Sequence, residues 1–588
     1  MVVGLPVQRH CIGLQDCRGG NRPKGHFSAL FRKVSAIRAA AAWLTCGSLA
    51  GAWFAGAAIL NAEGQPITTP AAAEDAAGST APPPAQPTMT IREYRIVGTT
   101  RLPRLDVETA VYPYLGPERT SDDVEKARAA LQKAYQEKGF ETVVVQIPEQ
   151  TPRRGIVVLQ AVERTIGRLR VNGARYFLPS QVRRKAPSLR AGIVPNFNDV
   201  KRDIVALNRW PDRKVVPKLT EGSTPDTVDI ELNVEDKLPL HGSFELNNRY
   251  SPDTSHLRFN GSISYNNLWQ AGHSAGFSFQ IAPERLEDAR VFSAYYIARF
   301  EDVDWLSLLL TGTKQDSNVS TLGGLAVAGR GEIVGARAIF ALPGLDGTEP
   351  GSTGFFQSVN VGMDYKHFKE NVLLNGTEIS TPIHYYPASI SYGGTWSGKG
   401  HETELNAGLN FHFRRMGSEA ADFDAKRYNT DGAYMYFRGD LSHEHDLPGG
   451  FQLYAKVQGQ LADRPLINSE QFSGGGLGSV RGYPESAALG DNGIAATLEL
   501  RSPSLIKTSD TKRKEWRVYA FLDAARLTLN DPLPEQQDVF DLYSIGVGTN
   551  LRLFDHFNAS LDLGIPQKSV SESRSGNPEL TFRIWTDF

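Results

Sequence analysis

The sequence predicts an all-β transmembrane barrel of sixteen antiparallel strands, preceded by two small α/β domains. Three observations support this prediction. From Leu240 to Phe588, short segments alternate apolar and polar residues, as strands with one lipid-facing side do. Between residues 89 and 238, segments with apolar residues at helical spacing alternate with segments that have them at strand spacing. All three cysteines precede residue 47, which suits a chain that crosses an oxidising compartment.

The overall composition excludes several classes of protein. The formal net charge is −2, so no basic balance points to a nucleic-acid partner. The mean hydropathy is −0.32, and beyond residue 60 no run of 18 apolar residues suggests a membrane helix. Because no cysteine follows Cys46, a disulfide scaffold or a cysteine metal site is excluded for most of the chain.

The first 88 residues are expected to be a targeting segment and a linker. Three basic residues precede an apolar stretch at 39–60, which is typical of a secretory signal with cleavage near residue 62. A retained inner-membrane anchor is the alternative. Residues 63–88 are rich in Ala and Pro and are predicted to form an extended linker. The basic residues are Arg32, Lys33 and Arg38.

Two tandem modules follow, at residues 89–164 and 165–238. The first has a predicted strand at Arg92–Val97, a helix at Ser121–Lys138 capped by Thr120 or Ser121, and two further strands. The second repeats this plan and ends on a strictly alternating strand. The apolar face of the first helix comprises Val124, Ala127, Leu131, Ala134 and Tyr135. The last strand of the second module carries Val228, Ile230, Leu232 and Val234.

This repeated unit resembles POTRA domains, the periplasmic modules that precede many outer-membrane barrels. The modules contain no nucleophile motif, phosphate loop or metal-ligand spacing, so neither a catalytic residue nor a cofactor is expected. Their sheet edges suit an extended polypeptide, which can pair with an edge through main-chain hydrogen bonds. A rigid spacer is the alternative interpretation.

The barrel at 239–588 is predicted from sixteen alternating segments separated by turns. Short turns at 270–273, 447–449 and 555–556 fit the periplasmic side, although 343–354 and 503–515 are long for it. The stretches 369–382, 414–433 and 462–492 are predicted to be long surface loops. The segments are Leu240–Tyr250, Leu257–Trp269, Ala275–Ala282, Val291–Phe300, Leu306–Gln315, Ala328–Leu342, Phe355–Phe368, Ile383–Trp396, Glu402–Phe413, Tyr434–Leu447, Gly450–Leu461, Gly493–Ser502, Trp516–Leu529, Asp541–Leu553, Asn558–Gly564 and Leu580–Phe588.

The last segment supports a membrane barrel over a soluble β-sandwich or propeller. Phe582, Ile584 and Phe588 share one face with Leu580, while charged residues share the other. A terminal aromatic residue on such a strand resembles the signal by which outer-membrane proteins are handed to the barrel-assembly machinery. The expected partners therefore include that machinery and outer-membrane lipid.

A glycine-rich loop at 472–483 is the most specific local motif. It ends in Val480, Arg481, Gly482 and Tyr483, and no Gly-Lys-Ser/Thr follows to make it a phosphate loop. It resembles the signature of two-partner secretion transporters, the haemolysin and filamentous-haemagglutinin secretion family. That resemblance implies that the loop enters the barrel and that its Arg pairs with an Asp on the inner wall.

The partner expected from the resemblance is Asp523, in a Phe-x-Asp context that begins at Phe521. Ala525 stands where the family motif has Gly. A buried ion pair fixes one conformation of a mobile loop more than it adds stability, and the planar arginine fork suits a carboxylate. A surface-exposed Arg481 in a flexible loop is the alternative.

The resemblance implies an outer-membrane pore that exports a large, adhesin-like or haemolysin-like secreted protein from the periplasm. An outer-membrane assembly or insertion factor is the second interpretation, a passive porin the third and an outer-membrane enzyme the fourth. A metal site at 443–446, which contains His443 and His445, is a further alternative to an ordinary polar strand end.

Overall fold

A computed structural model describes residues 87–588, except 153, 209, 211, 301–302, 318, 321–326, 329, 344–353, 375–376 and 507–513. The predicted targeting segment, nearly all of the predicted linker and the three cysteines therefore lie outside the described residues. Within the described part, no helix is both long and apolar enough to cross a bilayer.

The first α/β module folds around one long amphipathic helix. Its helix α2 begins after Thr120, whose side chain and that of Asp123 form a reciprocal capping box. Leu131 and Tyr135 on this helix are fully buried against the sheet, whose order is β2-β5-β4 with β2 and β5 parallel. The elements are β1 Met89–Ile91, β2 Glu93–Val97, α1 Arg104–Val111, β3 Gly116–Arg119, α2 Ser121–Glu137, β4 Val143–Gln146 and β5 Ile156–Glu163. The strands β1 and β3 form a separate ribbon that the sequence did not predict.

The second module repeats the plan with shorter helices. Its three-stranded sheet has the order β6-β8-β7, in which β6 and β8 are parallel. The alternating residues of the last strand, from Val228 to Val234, are buried in the core of this module. The elements are β6 Thr165–Asn172, α3 Pro179–Arg184, α4 Phe197–Leu207, β7 Arg213–Glu221 and β8 Thr227–Asp236.

The remaining chain forms a closed antiparallel barrel, in which the first strand pairs with the last. Because β18 and β19 are one strand interrupted at residues 386–387, the described wall has sixteen strands, as predicted. The wall comprises β9 Leu240–Asn247, β10 Arg258–Leu268, β11 His273–Ile281, β12 Ala289–Phe300, β13 Val303–Ser317, β16 Gly331–Ala341, β17 Phe355–Leu374, β18 Thr377–Tyr385, β19 Ala388–Gly398, β20 His401–His412, β21 Tyr434–Asp446, β22 Gln452–Ala462, β25 Asn492–Arg501, β26 Lys514–Thr528, β27 Val539–Leu553, β28 Phe557–Pro566 and β29 Glu579–Asp587. Two small ribbons pair β14 Val319–Ser320 with β15 Val327–Ala328, and β23 Phe472–Gly474 with β24 Ala488–Gly490.

The predicted surface loop at 369–382 is a β-hairpin in the structure. Residues 369–374 and 377–382 continue β17 and β18 and pair with each other, with Lys369 opposite Pro382. The sequence of this segment does not alternate apolar and polar residues, so it resembled a loop. The predicted loop at 414–433 contains a short helix, α5 Ala420–Lys426. The long turn at 343–354 and the centre of the turn at 503–515 lie outside the described residues.

The barrel wall has an apolar outer face and a polar inner face. On β11 and β13, Phe277 and Leu310 are exposed outward, at 44% and 54%. On the opposite face, the Ser293 and Thr313 hydroxyls bond to each other at 2.7 Å. The alternation seen in the sequence thus separates a lipid-facing surface from a lumen.

The second module contacts the end of the barrel that carries the turn between β10 and β11. The carbonyl of Tyr176 accepts hydrogen bonds from the Asn267 and Gln270 side chains at 3.2 and 3.0 Å. The indole of Trp210 covers Gly272, and the guanidinium carbon of Arg299 lies 4.9 Å from the centre of that ring. Module and barrel therefore meet through a set of specific polar and stacking contacts.

Candidate functional site

The loop between β22 and β25 carries the glycine-rich motif against the inner wall of the barrel. Val480 and Tyr483 are buried, and both belong to an apolar cluster with Leu527 and Leu542 of the wall. The Tyr483 hydroxyl donates to the Lys568 carbonyl at 2.8 Å. We call residues 463–491 the lumen loop.

Arg481 of the lumen loop forms a two-pronged contact with Asp523 of β26. Its Nε atom donates to Asp523 Oδ2 at 2.7 Å, and its Nη2 atom donates to Oδ1 at 2.8 Å. The backbone N–H of Arg481 donates to the same carboxylate at 3.0 Å. Both side chains are buried, at 6% and 1% exposure, so the pair is shielded from solvent. This geometry is the parallel fork that suits guanidinium and carboxylate.

Two further carboxylates complete this contact, and neither was found from the sequence. Arg481 Nη1 lies 2.7 Å from Glu499 Oε1 and 3.3 Å from Asp562 Oδ1. Arg501 bonds to the other oxygen of Glu499 at 2.9 Å. We call Arg481 with its three carboxylates the arginine anchor. The available signal was positional: Glu499 lies between two outward leucines and Asp562 between two others, as inward polar residues do.

Phe521 provides the floor of the arginine anchor. The guanidinium carbon of Arg481 lies 3.5 Å from the centre of its ring, so the cation rests on the aromatic face. Phe521 is 2% exposed, which keeps water away from one side of the ion pair. The residue that begins the Phe-x-Asp motif thus contacts the motif arginine directly.

Gly482 allows the lumen loop to lie directly on the wall. Its φ of +83° favours glycine. A Cβ on Gly564 of β28 would lie 2.5 Å from the Gly482 nitrogen, so the two backbones meet with no side chain between them. This close approach brings Arg481 within reach of Asp562 on the same strand.

A second buried charge, Glu470, ties the start of the lumen loop to another part of the wall. Its Oε1 atom accepts from Lys366 Nζ and from the Tyr385 hydroxyl, both at 2.6 Å. Its Oε2 atom accepts from the Tyr436 hydroxyl at 2.8 Å. Glu470 is 1% exposed. We call this group the glutamate anchor; no sequence motif pointed to it.

Two further buried carboxylates, Asp491 and Glu485, hold the lumen loop in place. Asp491, which is fully buried, accepts from the Leu466 and Asn530 backbone N–H groups at 2.8 and 2.7 Å. Glu485 pairs with Arg249 at 2.7 Å, next to the strand that closes the barrel. The loop is therefore held at both ends and in its middle.

The other predicted site residues lie apart from the lumen loop. On β29, Ile584 and Leu580 face outward at 44% and 53% exposure, and Phe588 is 54% exposed. Phe582 is half-buried on the same face. On the opposite face, Arg583 pairs with Glu245 of β9 at 2.8 Å. These positions match the apolar and charged faces expected for the last strand.

The histidines near 443–446 lie on the opposite face of β21 from Glu444. The rings of His443 and His445 lie 5.8 Å apart on one face of β21. Glu444 points the other way and pairs with Arg501 at 2.7 Å. Among the described residues, no group of three or more His, Cys, Asp or Glu could hold a metal ion.

Comparisons with known proteins agree with this architecture. Residues 89–163 match the model for POTRA domains of ShlB type, and residues 356–551 match that for haemolysin secretion/activation proteins ShlB/FhaC/HecB. The chain is 23% identical over 431 residues to the outer membrane transporter CdiB of Dickeya dadantii, covering 69% of this chain and 71% of that protein.

Two solved structures share the fold. CdiB from Escherichia coli superposes with a TM-score of 0.59 at 19% identity, over 88% of this chain and 93% of that chain. BamA from Haemophilus ducreyi lacking POTRA domains 1–3 gives 0.52 at 15% identity, over 85% and 100%. The POTRA match, the barrel match and the transporter relatives together show that this chain belongs to the two-partner secretion transporters of the outer membrane, the haemolysin secretion/activation family.

Proposed function

We propose that this chain captures one unfolded secreted protein in the periplasm and exports it through its barrel to the cell surface. The observation that carries the proposal is the arginine anchor, which holds a long loop inside a barrel that follows two docking modules. An Arg with three carboxylate partners in the lumen defines one position for the loop, and a transport pore needs such a controlled obstruction.

The docking step is proposed for the edges of the two small sheets. In the described residues, β2 and β4 are the edges of the first sheet, and β7 is an edge of the second. An extended polypeptide can add to such an edge through main-chain hydrogen bonds that do not depend on its sequence. On β7, Val216 and Leu219 are exposed at 44% and 41%, which offers apolar contacts to side chains of the docked segment.

The exported partner is proposed to be a large protein of adhesin or haemolysin type. The family model that matches residues 356–551 describes haemolysin secretion/activation proteins, and the CdiB relative is described as an outer membrane transporter; together they support a secreted protein as cargo. Since the chain supplies no recognised nucleotide-binding motif, folding of the cargo outside the cell is the proposed driving force. Lipid contact along the outer face and delivery by the barrel-assembly machinery belong to the same proposal.

Deletion of the gene tests the proposal. We expect one large polypeptide to disappear from the culture medium and from the cell surface, while the abundance of other outer-membrane proteins is unchanged. A plasmid copy should restore export. A joint decline of many outer-membrane proteins would instead support an assembly factor and overturn the secretion proposal.

A further inference from the structure

We propose that a cationic cavity between the second module and the mouth of the barrel binds acidic segments of the exported polypeptide; this inference rests on the proposed function. The cavity has a volume of about 700 Å³ and is lined on one side by Lys185, Arg190 and Arg202 of the module. Trp210 and Arg299 line it where module and barrel meet. We call it the pore-mouth cavity.

The charge of the pore-mouth cavity is strongly positive. Among the described residues, five cationic side chains line it, against the two carboxylates of Asp203 and Asp304. Asp203 already accepts a hydrogen bond from the Ser188 backbone N–H at 2.9 Å, and Arg202 pairs with Asp199 outside the lining. Among the described residues, neither Lys185 nor Arg190 has a carboxylate within ion-pair distance. The cavity therefore has cationic charge available for an anionic ligand.

Arg299 is the fixed member of this set. Its Nη1 atom donates to the Gly272 carbonyl at 2.6 Å and to the Ser274 hydroxyl at 2.9 Å. Trp210 stacks on the same guanidinium. No carboxylate of the described residues pairs with it. A guanidinium held in place by neutral partners is already oriented, so a ligand carboxylate loses little freedom by binding there.

The position of the cavity favours a polypeptide over a lipid headgroup. Ser274, Arg299 and Ser307 lie on the strand faces opposite the outward Phe277, Phe292 and Leu308, so they face the lumen. The cavity thus lies at the rim of the barrel, between the docking module and the lumen, where Phe300 and Leu306 of the outward faces also line it. Carboxylates of a passing chain would be drawn to it and released when salt competes for the same charges.

Binding of an acidic peptide to the full chain in neutral detergent tests the inference. The probe is a fluorescein-labelled peptide of about ten residues that alternates Glu and Gly, long enough to cross the cavity, and anisotropy measures its binding. We expect the double variant Lys185→Glu/Arg190→Glu to bind it about tenfold more weakly than the wild-type chain. The neutral pair Lys185→Gln/Arg190→Gln should give a smaller loss in the same direction. Raised salt should weaken wild-type binding most.

Matched controls come from neighbouring positions of the second module. Arg183→Glu and Lys201→Glu make the same charge change next to the cavity, at exposed residues that do not line it. Equal losses in these controls, or equal binding by all variants, would overturn the inference. If only nanodiscs with phosphatidylglycerol respond to the cavity variants, the site binds lipid and the inference is also wrong. Cavity-dependent peptide binding with no exported protein lost on gene deletion would refute the proposed function alone.

Discussion

The arginine anchor and the glutamate anchor hold the same loop with opposite charge arrangements. In the first, the loop supplies one cation and the wall supplies three carboxylates, one of them shared with Arg501. In the second, the loop supplies one carboxylate and the wall supplies one ammonium group and two tyrosine hydroxyls. Arg481 therefore neutralises wall carboxylates that repel one another, whereas Glu470 forms a one-to-one ion pair with Lys366.

This difference determines what happens when each anchor loses its loop residue. Without Arg481, Asp523, Glu499 and Asp562 face one another with Arg501 as the remaining ion-pair partner. Without the Glu470 charge, Lys366 remains as a single cation on a flexible stem beside neutral hydroxyls. We therefore infer that the arginine anchor is the attachment of the lumen loop that can open, which we call the latch. The glutamate anchor is a fixed attachment point.

The largest effect is expected for Arg481→Ala. Removing one partner of a buried ion pair costs about 3–5 kcal/mol, and here the remaining carboxylates also repel. We expect the barrel still to insert, the loop to leave its position, and secretion to fall sharply. A reporter cysteine at Gly478, an exposed position where a Cβ meets nothing within 4 Å, should be labelled faster by a membrane-impermeant maleimide than the same reporter in the chain that keeps Arg481.

The reporter chain carries Ser at positions 11, 17 and 46, so that only residue 478 reacts. Arg552→Ala is the matched control, because Arg552 bonds a neutral Asn558 side chain at 3.2 Å instead of a carboxylate. Normal export and an unchanged labelling rate of the reporter in Arg481→Ala would show that the latch has no such role.

A smaller effect is expected for Asp523→Ala, because Glu499 and Asp562 still neutralise the guanidinium. The loss of the fork and of the backbone contact should cost about 2–3 kcal/mol. Secretion should fall while insertion persists. The double variant Arg481→Ala/Asp523→Ala should lose less loop stability than the sum of the losses in the two single variants. Strict additivity would mean that the two residues do not act as one unit. The control is Glu404→Ala, which removes an exposed carboxylate on β20.

Glu470→Gln should have a moderate effect of a different kind. The amide oxygen still accepts hydrogen bonds from Tyr385 or Tyr436, but the ion pair with Lys366 is lost, at about 1–2 kcal/mol. We expect a lower melting temperature of the barrel without faster labelling of the Gly478 reporter, since the latch stays closed. Labelling as strong as in Arg481→Ala would remove the distinction between the two anchors. Glu404→Gln serves as the isosteric control.

Phe521→Leu should show how much the aromatic floor adds to the latch. It keeps an apolar surface under Arg481 but removes the attraction between cation and ring, which is worth about 1–2 kcal/mol in a desolvated site. We expect slightly faster labelling of the reporter and a small loss of export. A stability equal to that of the wild-type chain would show that the floor acts only by excluding water.

The smallest effect concerns a carboxylate outside the membrane, Glu163 of the first module. Burial acts to raise its pKa, but hydrogen bonds from Thr100, the Arg101 backbone and Tyr135 outweigh it and hold the pKa below its ordinary value. Its contribution to folding is therefore complete above the ordinary glutamate pKa and is lost as the pH falls below it. Glu163→Gln should flatten this acid dependence in the melting of the first module. An unchanged pH profile would contradict the assignment.

The sequence predicted the barrel better than the site. Alternation arises wherever a strand separates lipid from lumen, so sixteen strands were countable. At 369–382 the alternation ends in the sequence, and the paired hairpin there was predicted as a loop. Arg481 and Asp523 came from a motif. Glu499, Asp562 and Glu470 did not, because their contacts depend on which strands become neighbours: Glu470 and Lys366 are 104 positions apart. No local spacing encodes such a pairing.

The junction at Trp210 has a mechanical consequence. Three sets of contacts resist both swinging and twisting of the second module. Trp210 covers Gly272, and the Asn267 and Gln270 side chains donate to the Tyr176 carbonyl. His241 lies 3.0 Å from Asp212. Rotation of this module would break several of these contacts at once. We therefore expect the second module to keep its orientation at the mouth of the channel. Movements of the docking modules that bring the exported chain to the pore are then expected in the parts of the chain that precede it.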